Sequence, residues 1–267
     1  MHAHFLDPYR HRASPIHALD PRVKFVLGVA FIVTTALVPP GAWPAYVLLY
    51  AAVLSVILLS DLGLGLVMKR AALAAPFVLA ALPLLFTVPG DALSSFHIGA
   101  WTLTISAAGL ERFVSVALKS WLSVQMAIVL ASTTTFPDLL AAMRALRLPR
   151  LLVAIIGLMW RYLFVLVDEV MRLMRAREAR SGHPSEPAGR IGGSLAWRAR
   201  VTGGMAGNLM LRSFDRSERI YAAMASRGYD GEVRGLPRPP VSRGARRVLA
   251  GGLVFLVLIL LLGLLVS

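Results

Sequence analysis

The sequence predicts an all-α, polytopic integral membrane protein with about five transmembrane helices and a cytoplasmic helical domain between the fourth and the fifth. Three observations lead there. Of 267 residues, 57% are hydrophobic, and the mean hydropathy is +0.69. Several apolar runs approach the roughly 20 helical residues that span a hydrocarbon core. The 28 Lys and Arg residues are crowded into a few blocks separated by charge-free runs, whereas a soluble protein spreads such charges over its surface.

The first 24 residues carry charges and prolines but no apolar core of a cleavable signal, so they are expected to form a cytoplasmic tail. The first span runs from Phe25 to Val38. In "LDPRVKF", Asp20 suits the helix cap, Pro21 the first turn, and Arg22 and Lys24 are placed to snorkel to headgroups. "PPG" at 39–41 stops it. The second span is Trp43 to Ser60. The third, Ala71 to Val88, contains Pro76 and Pro83, which predict a kinked helix packed against protein. The fourth runs from Ala107 to Ser132 and carries Lys119, whose candidate partners are Glu111, Ser115 and Ser123. The fifth, Val248 to Val266, has no charge.

Residues 133–247 hold 20 of the 28 basic residues yet keep helical apolar periodicity. "TTTFPDLLAAMRALRLPR" predicts a short helix opened by a threonine cap near Pro137 and closed before Pro149. A longer helix follows from Arg150 to Arg180. Its first half resembles a span in composition, but Arg161 at its centre would cost about 2.5–3.5 kcal/mol. A span there would also send the next arginine block to the other side of the membrane. A third helix, Thr202 to Ser226, places Met210, Phe214, Tyr221 and Met224 on one face and Arg212, Arg216, Arg219 and Arg227 on the other. Residues 181–195 and 228–243 read as Gly- and Pro-rich linkers, and Gly203 with Gly207 as a GxxxG pair for close helix crossing.

Charge then sets the topology. The tail, the expected loop at Lys69 and Arg70, and the 133–247 insert share one side, while the loops at 39–42 and 89–100 lack Lys and Arg. Positive residues mark the cytoplasm. The expected organisation is a cytoplasmic tail at 1–24, four spans within 25–132, a cytoplasmic helical domain at 133–247 and a last span at 248–267. Both ends of the insert thus face the same compartment.

The chemistry of an enzyme is not legible. There is no cysteine, which removes thiol catalysis and Cys-based metal sites. No GxSxG, HExxH or GxxxxGK[ST] occurs, so the usual serine hydrolase, zincin and ATPase signatures are missing. His2, His4, His11 and His17, with Asp7 and Asp20, have no spacing that fixes a metal geometry and read as a polar tail near headgroups. No catalytic, cofactor or metal residue is assigned. Asp168 with Arg172 and Asp215 with Arg219 have i, i+4 ion-pair spacing. The net charge of +14 reads as membrane topology, so nucleic acid is not an expected partner and membrane lipid is.

Three stretches, "SPIHALDPRVKF", "RYLFVLVDEVMRLMRAREARSG" at 161–182 and "ERIYAAMASRGYDG" at 218–231, resemble the transmembrane T component of energy-coupling factor transporters, most closely the CbiQ type of cobalt uptake. That resemblance implies a non-catalytic scaffold in the cell membrane. It joins a substrate-binding membrane subunit for the metal ion to ABC-type ATPase subunits that hydrolyse ATP. It also implies two cytoplasmic coupling helices, each ending in an X-Arg-X motif that docks in an ATPase groove. The matching residues here are Ala179, Arg180 and Ser181, and Ser226, Arg227 and Gly228. The first motif ends in Ser where many relatives have Gly, and Lys119 stands where the family often carries Arg.

Arginine suits such a role because its planar fork stays charged and binds bidentately where lysine is a looser point charge. Nickel is the alternative cargo. A stand-alone secondary carrier would want ionisable residues in several spans and repeated halves. An intramembrane enzyme acting on lipid phosphates would need a nucleophile or base with a partner. The sequence offers neither.

Overall fold

Ser14 and Asp20 set the first two helix starts. In a computed structural model, which describes residues 8–98, 101–180, 194–231 and 239–266, the Ser14 hydroxyl accepts the His17 N–H at 3.3 Å at the head of α1, Pro15–Ala18. The Asp20 carboxylate accepts the Arg22 N–H at 2.8 Å and Pro21 occupies the first turn of α2, Pro21–Leu37, as the sequence predicts. Lys24 is buried at 8% exposure and turns inward rather than to headgroups. Helix α3 covers Trp43–Leu59.

The predicted kinked span is broken outright and starts earlier than Ala71. Helix α4, Leu64–Ala71, passes through a 3-10 turn at Ala72–Ala74 into α5, Ala75–Ala80, and, after Pro83, α6, Leu84–Thr87. Lys69 and Arg70 therefore lie in the last turn of α4 and not in a loop. That position suits cations because a helix ends in unpaired carbonyls. Arg70 Nη1 also donates to Ser132 Oγ at 3.3 Å.

The expected loop at 89–100 gives way to a β-hairpin. Strand β1, Ala92–Ile98, pairs antiparallel with β2, Trp101–Ser106, from Ala92 opposite Ser106 to Ile98 opposite Trp101. The run of aromatic and β-branched residues there favours strand over loop. Ser106 then caps α7, Ala107–Thr133: its hydroxyl accepts the Gly109 N–H at 2.9 Å and donates to the Val88 carbonyl at 2.6 Å. A Cβ on Gly109 would stand 2.8 Å from the Leu84 carbonyl oxygen, so only glycine lets α7 approach α6 this closely.

Helix α8, Phe136–Ala145, opens as predicted, with Thr135 Oγ1 accepting the Asp138 N–H at 3.3 Å and donating to Asp138 Oδ2 at 2.7 Å. It packs on α2. Helix α9 spans Arg150–Arg180, the predicted bounds. Helix α10, Leu195–Ala225, begins well before the expected Thr202 because Ser194 Oγ accepts the Trp197 N–H at 3.2 Å and starts the helix there. Helix α11 covers Arg243–Val266.

Contacts divide the chain into two units, Pro8–Ala145 with Arg238–Ser267, and Met1–Asp7 with Leu146–Pro237. In the first, α2 packs on α7 and α11, α3 on α7 and α11, and the broken α4–α6 run on α7. Phe31, Leu49, Ile57, Val67, Leu122 and Ile259 meet in its core. Val47, Leu73, Phe77 and Leu265 stand 67%, 75%, 65% and 85% exposed, an arrangement suited to lipid and not to water.

Lys119 finds a different partner from those the sequence suggested. Its ammonium donates to the Ala36 carbonyl in the last turn of α2 at 3.1 Å, while Ser115 Oγ accepts the Gly41 N–H at 3.3 Å. Among the described residues, four helical stretches are long and apolar enough to cross a bilayer: Leu64–Thr87, Ala107–Thr133, Arg150–Arg180 and Arg243–Val266. Trp43–Leu59 is a shorter apolar helix. Length and composition alone thus admit Arg150–Arg180, which the charge argument kept out of the bilayer; they do not weigh the side on which its flanking arginines fall. The protein is a nearly all-helical, multi-pass membrane protein.

Candidate functional site

Helices α9 and α10 carry both predicted motifs and belong to one unit. On α9, Leu158, Tyr162, Val165, Glu169, Leu173 and Arg177 recur every three or four residues, and all are buried or half-buried. They form the stripe that faces α10. On α10 the inward stripe is Val201, Met205, Leu209, Ser213, Arg216, Ile220 and Met224, so Arg216 shares a face with Met224 and does not lie opposite it as expected. Apolar faces at helical spacing meet because each alone would leave its hydrocarbon in water.

This is not the oily face expected from the sequence. Met210, Phe214 and Tyr221 are 57%, 57% and 64% exposed, and Leu211 beside them 67%; only Met224 of the predicted four turns inward. Nor do Gly203 and Gly207 form the crossing, since a Cβ on either would meet nothing within 4 Å. A helical wheel gives the faces of a helix but not which face its neighbour takes, and α9 takes the one that runs from Val201 to Met224.

The crossing is instead marked by a charge pair. Arg212 Nη1 donates to Glu169 Oε1 at 2.8 Å, with the Glu169 side chain 11% exposed and that of Arg212 53%. Arg172 stands 3.6 Å from the other Glu169 oxygen, so it pairs with Glu169 and not with the expected Asp168. Asp215 and Arg219 form no ion pair among the described residues. Sequence reasoning missed Glu169, although its place in the α9 stripe, four residues after Val165 and four before Leu173, was a usable signal.

The two helix ends differ. Arg180 is the last, exposed residue of α9. It lines an open cleft of about 480 Å³ with Leu173, Arg177, Trp197, Met205 and Arg212. Ala179 beside it is exposed, and Ser181 lies outside the described residues. At the end of α10, Ser226, Arg227 and Gly228 are all exposed. The Gly228 N–H donates to the Ala225 carbonyl at 3.0 Å and the Tyr229 N–H to the Met224 carbonyl at 3.1 Å. Gly228 adopts φ +76°. This is a Schellman closure, which needs a left-handed residue and so favours glycine. Arg227 is held at the end of a sharply stopped helix with its side chain in solvent.

Among the described residues, no group of three His, Asp or Glu is placed to hold a metal ion; His2, His4 and Asp7 lie outside them. His17 is occupied structurally, its Nε2 donating to the Arg10 carbonyl at 2.9 Å and its Nδ1 2.7 Å from Ser14 Oγ.

Comparison with known proteins shows the family of the chain. A family model described as "Cobalt transport protein" (CbiQ) matches residues 12–237. The cobalt transport protein CbiQ of Rhodobacter capsulatus is 28% identical over 219 residues, 82% of each chain. The energy-coupling factor transporter transmembrane protein EcfT of Lacticaseibacillus paracasei is 28% identical over 267 residues, 93% of this chain and 94% of that protein. The nickel permease LarQ of Lactiplantibacillus plantarum is 33% identical over 124 residues, 46% of this chain and 42% of that one. The match runs from the Asp20-capped helix through α9 and α10 to beyond the Gly228 closure, and on that ground the chain belongs to the CbiQ family of cobalt transport proteins.

Proposed function

We propose that this chain is the non-catalytic transmembrane coupling subunit of an ATP-driven importer of the energy-coupling factor type, with cobalt ions as cargo. In this reading residues 25–132 and 248–267 lie in the membrane, and the tail at 1–24 and the insert at 133–247 are cytoplasmic. ABC-type ATPase subunits receive Ala179, Arg180 and Ser181 in one groove and Ser226, Arg227 and Gly228 in another. A separate membrane subunit binds the ion.

The observation that carries the reading is that two 31-residue helices of one unit each end in an exposed arginine, one of them presented by a glycine-closed turn. An exposed guanidinium on a rigid end can enter a carboxylate- or carbonyl-lined groove with little ordering cost. Similarity to the nickel permease over 124 residues supports nickel as the second reading of the cargo.

The test is co-expression with the ATPase and ion-binding subunits, followed by co-purification and ATP-driven cobalt uptake in proteoliposomes. Arg180→Glu with Arg227→Glu should abolish ATPase retention, since truncating a buried, paired interface arginine typically costs about 2 kcal/mol or more. Assembly and uptake both intact in that double variant would refute the docking role.

A further inference from the structure

A carboxylate in the middle of an apolar helix stripe needs a reason, and Glu169 has one in its position along both helices. Toward one end of the pair, Leu158, Tyr162, Val165 and Leu166 face Ser213, Ile220 and Met224 across a groove of about 280 Å³. Toward the other, Leu173, Ala176 and Arg180 face Trp197, Val201 and Met205 across the cleft of about 480 Å³. Glu169 and Arg212 meet between the two openings. The helices therefore splay on both sides of this pair, and Arg180 and Arg227 lie on opposite arms of the crossing.

Apolar stripes alone permit sliding and a range of crossing angles, because dispersion and hydrophobic contact have little directionality. A buried carboxylate held by a guanidinium fork does not: moving it off its partner strands a charge away from water. At 1.5 Å per residue the Arg180 end of α9 lies about 17 Å from Glu169, and the Arg227 end of α10 about 22 Å from Arg212. A small change in crossing angle at the pair becomes a displacement of several ångströms at both ends.

We propose that Glu169 is a positioning residue: held by Arg212, its carboxylate fixes the angle at which α9 and α10 cross and so the separation of Arg180 and Arg227. The exposed Arg172, 73% accessible and 3.6 Å away, contributes screening and not position. This inference rests on the docking role of the two arginines given above.

The chain has no cysteine, so spin labels on Met174→Cys and Ala223→Cys, one exposed site on each helix, report the separation without background from this chain, against a control complex that lacks the two introduced cysteines. Measured in the full complex in nanodiscs, Glu169→Gln should broaden the label distance distribution and lower cobalt moved per ATP hydrolysed by roughly fivefold, the size of coupling between directly contacting groups. ATPase subunits should remain bound. The reversed pair, Glu169→Arg with Arg212→Glu, should recover the narrow distribution, and Arg172→Ala should leave both readouts unchanged. Unaltered distances and unaltered ions per ATP in Glu169→Gln would overturn the proposal. So would a reversed pair no better than either single change, which also decides the matter if Glu169→Gln does not accumulate. Failure of the docking role itself reads differently: ATPases would stay bound to the Arg180→Glu, Arg227→Glu variant whatever the label distances report.

Discussion

Lys24, in the first turn of α2, donates its ammonium to the Thr133 carbonyl at the end of α7 at 2.8 Å, across 109 residues of sequence. The last carbonyls of a helix have no partner within it, and here a buried cation from a neighbouring helix supplies one. The Arg10 N–H serves the adjacent Ser132 carbonyl at 3.0 Å. The start of the first long helix and the end of α7 are thereby tied at one level.

Lys24→Met should leave the Thr133 carbonyl without its charged donor in a buried setting, a loss of about 1–3 kcal/mol. The expected result is a lower thermal midpoint of the purified protein in detergent with its helical content unchanged, followed by circular dichroism.

Gly228→Ala forces a side chain into the left-handed region at φ +76°, a cost of about 1–2 kcal/mol. Frayed in that turn, Arg227 should hold ATPase subunits about tenfold less tightly, the equivalent of about 1.4 kcal/mol. Gly228→Asn, which tolerates that conformation, should recover most of the loss in the same binding titration.

Gly109→Ala should be poorly accommodated because the neighbour it would meet is the Leu84 carbonyl, backbone that cannot rotate away. Overpacking of this kind costs about 1–3 kcal/mol, read as a drop in folded yield and thermal midpoint, whereas Gly203→Ala, facing open space, should be neutral or mildly stabilising.

Burial lowers the His17 pKa below its ordinary 6.5, with the Lys24 and His11 charges adding to the effect and the Arg10 carbonyl opposing it. The unfolded tail therefore binds more protons than the folded one between the lowered value and 6.5. Its contribution to stability is full above that range and declines as the pH falls through it. Amide exchange at residues 14–18 should accelerate on acidification in that window, and His17→Gln should remove the dependence.

Local signals were the legible ones. Asp20 caps the helix it was expected to cap, a threonine near Pro137, Thr135, caps α8, and Arg150 and Arg180 bound α9 as expected, because each depends on a few neighbouring residues. The choice of neighbour was not legible. Lys119 has hydroxyl candidates one helical turn away and a carboxylate two turns away, yet its ammonium goes to the Ala36 carbonyl on another helix. The oily stripe through Met210 and Phe214 was visible, but a second stripe through Leu209 and Ile220 won the contact with α9. The hairpin at 92–106 was hidden for another reason: the absence of charge in that segment invited a topological reading, and its β-branched pattern went unweighed.

The helices α2 and α3, which the proposed topology sets in the bilayer, have 17 residues each. At 1.5 Å per residue each is about 25 Å long, less than the roughly 30 Å hydrocarbon thickness of a typical bilayer. Helix α7 beside them has 27 residues and about 40 Å to dispose of. In the proposed topology that difference is levelled by thinner lipid beside α2 and α3 or by a lean of α7, and the short turn through Pro39, Pro40 and Gly41 limits how far the two shorter helices reach.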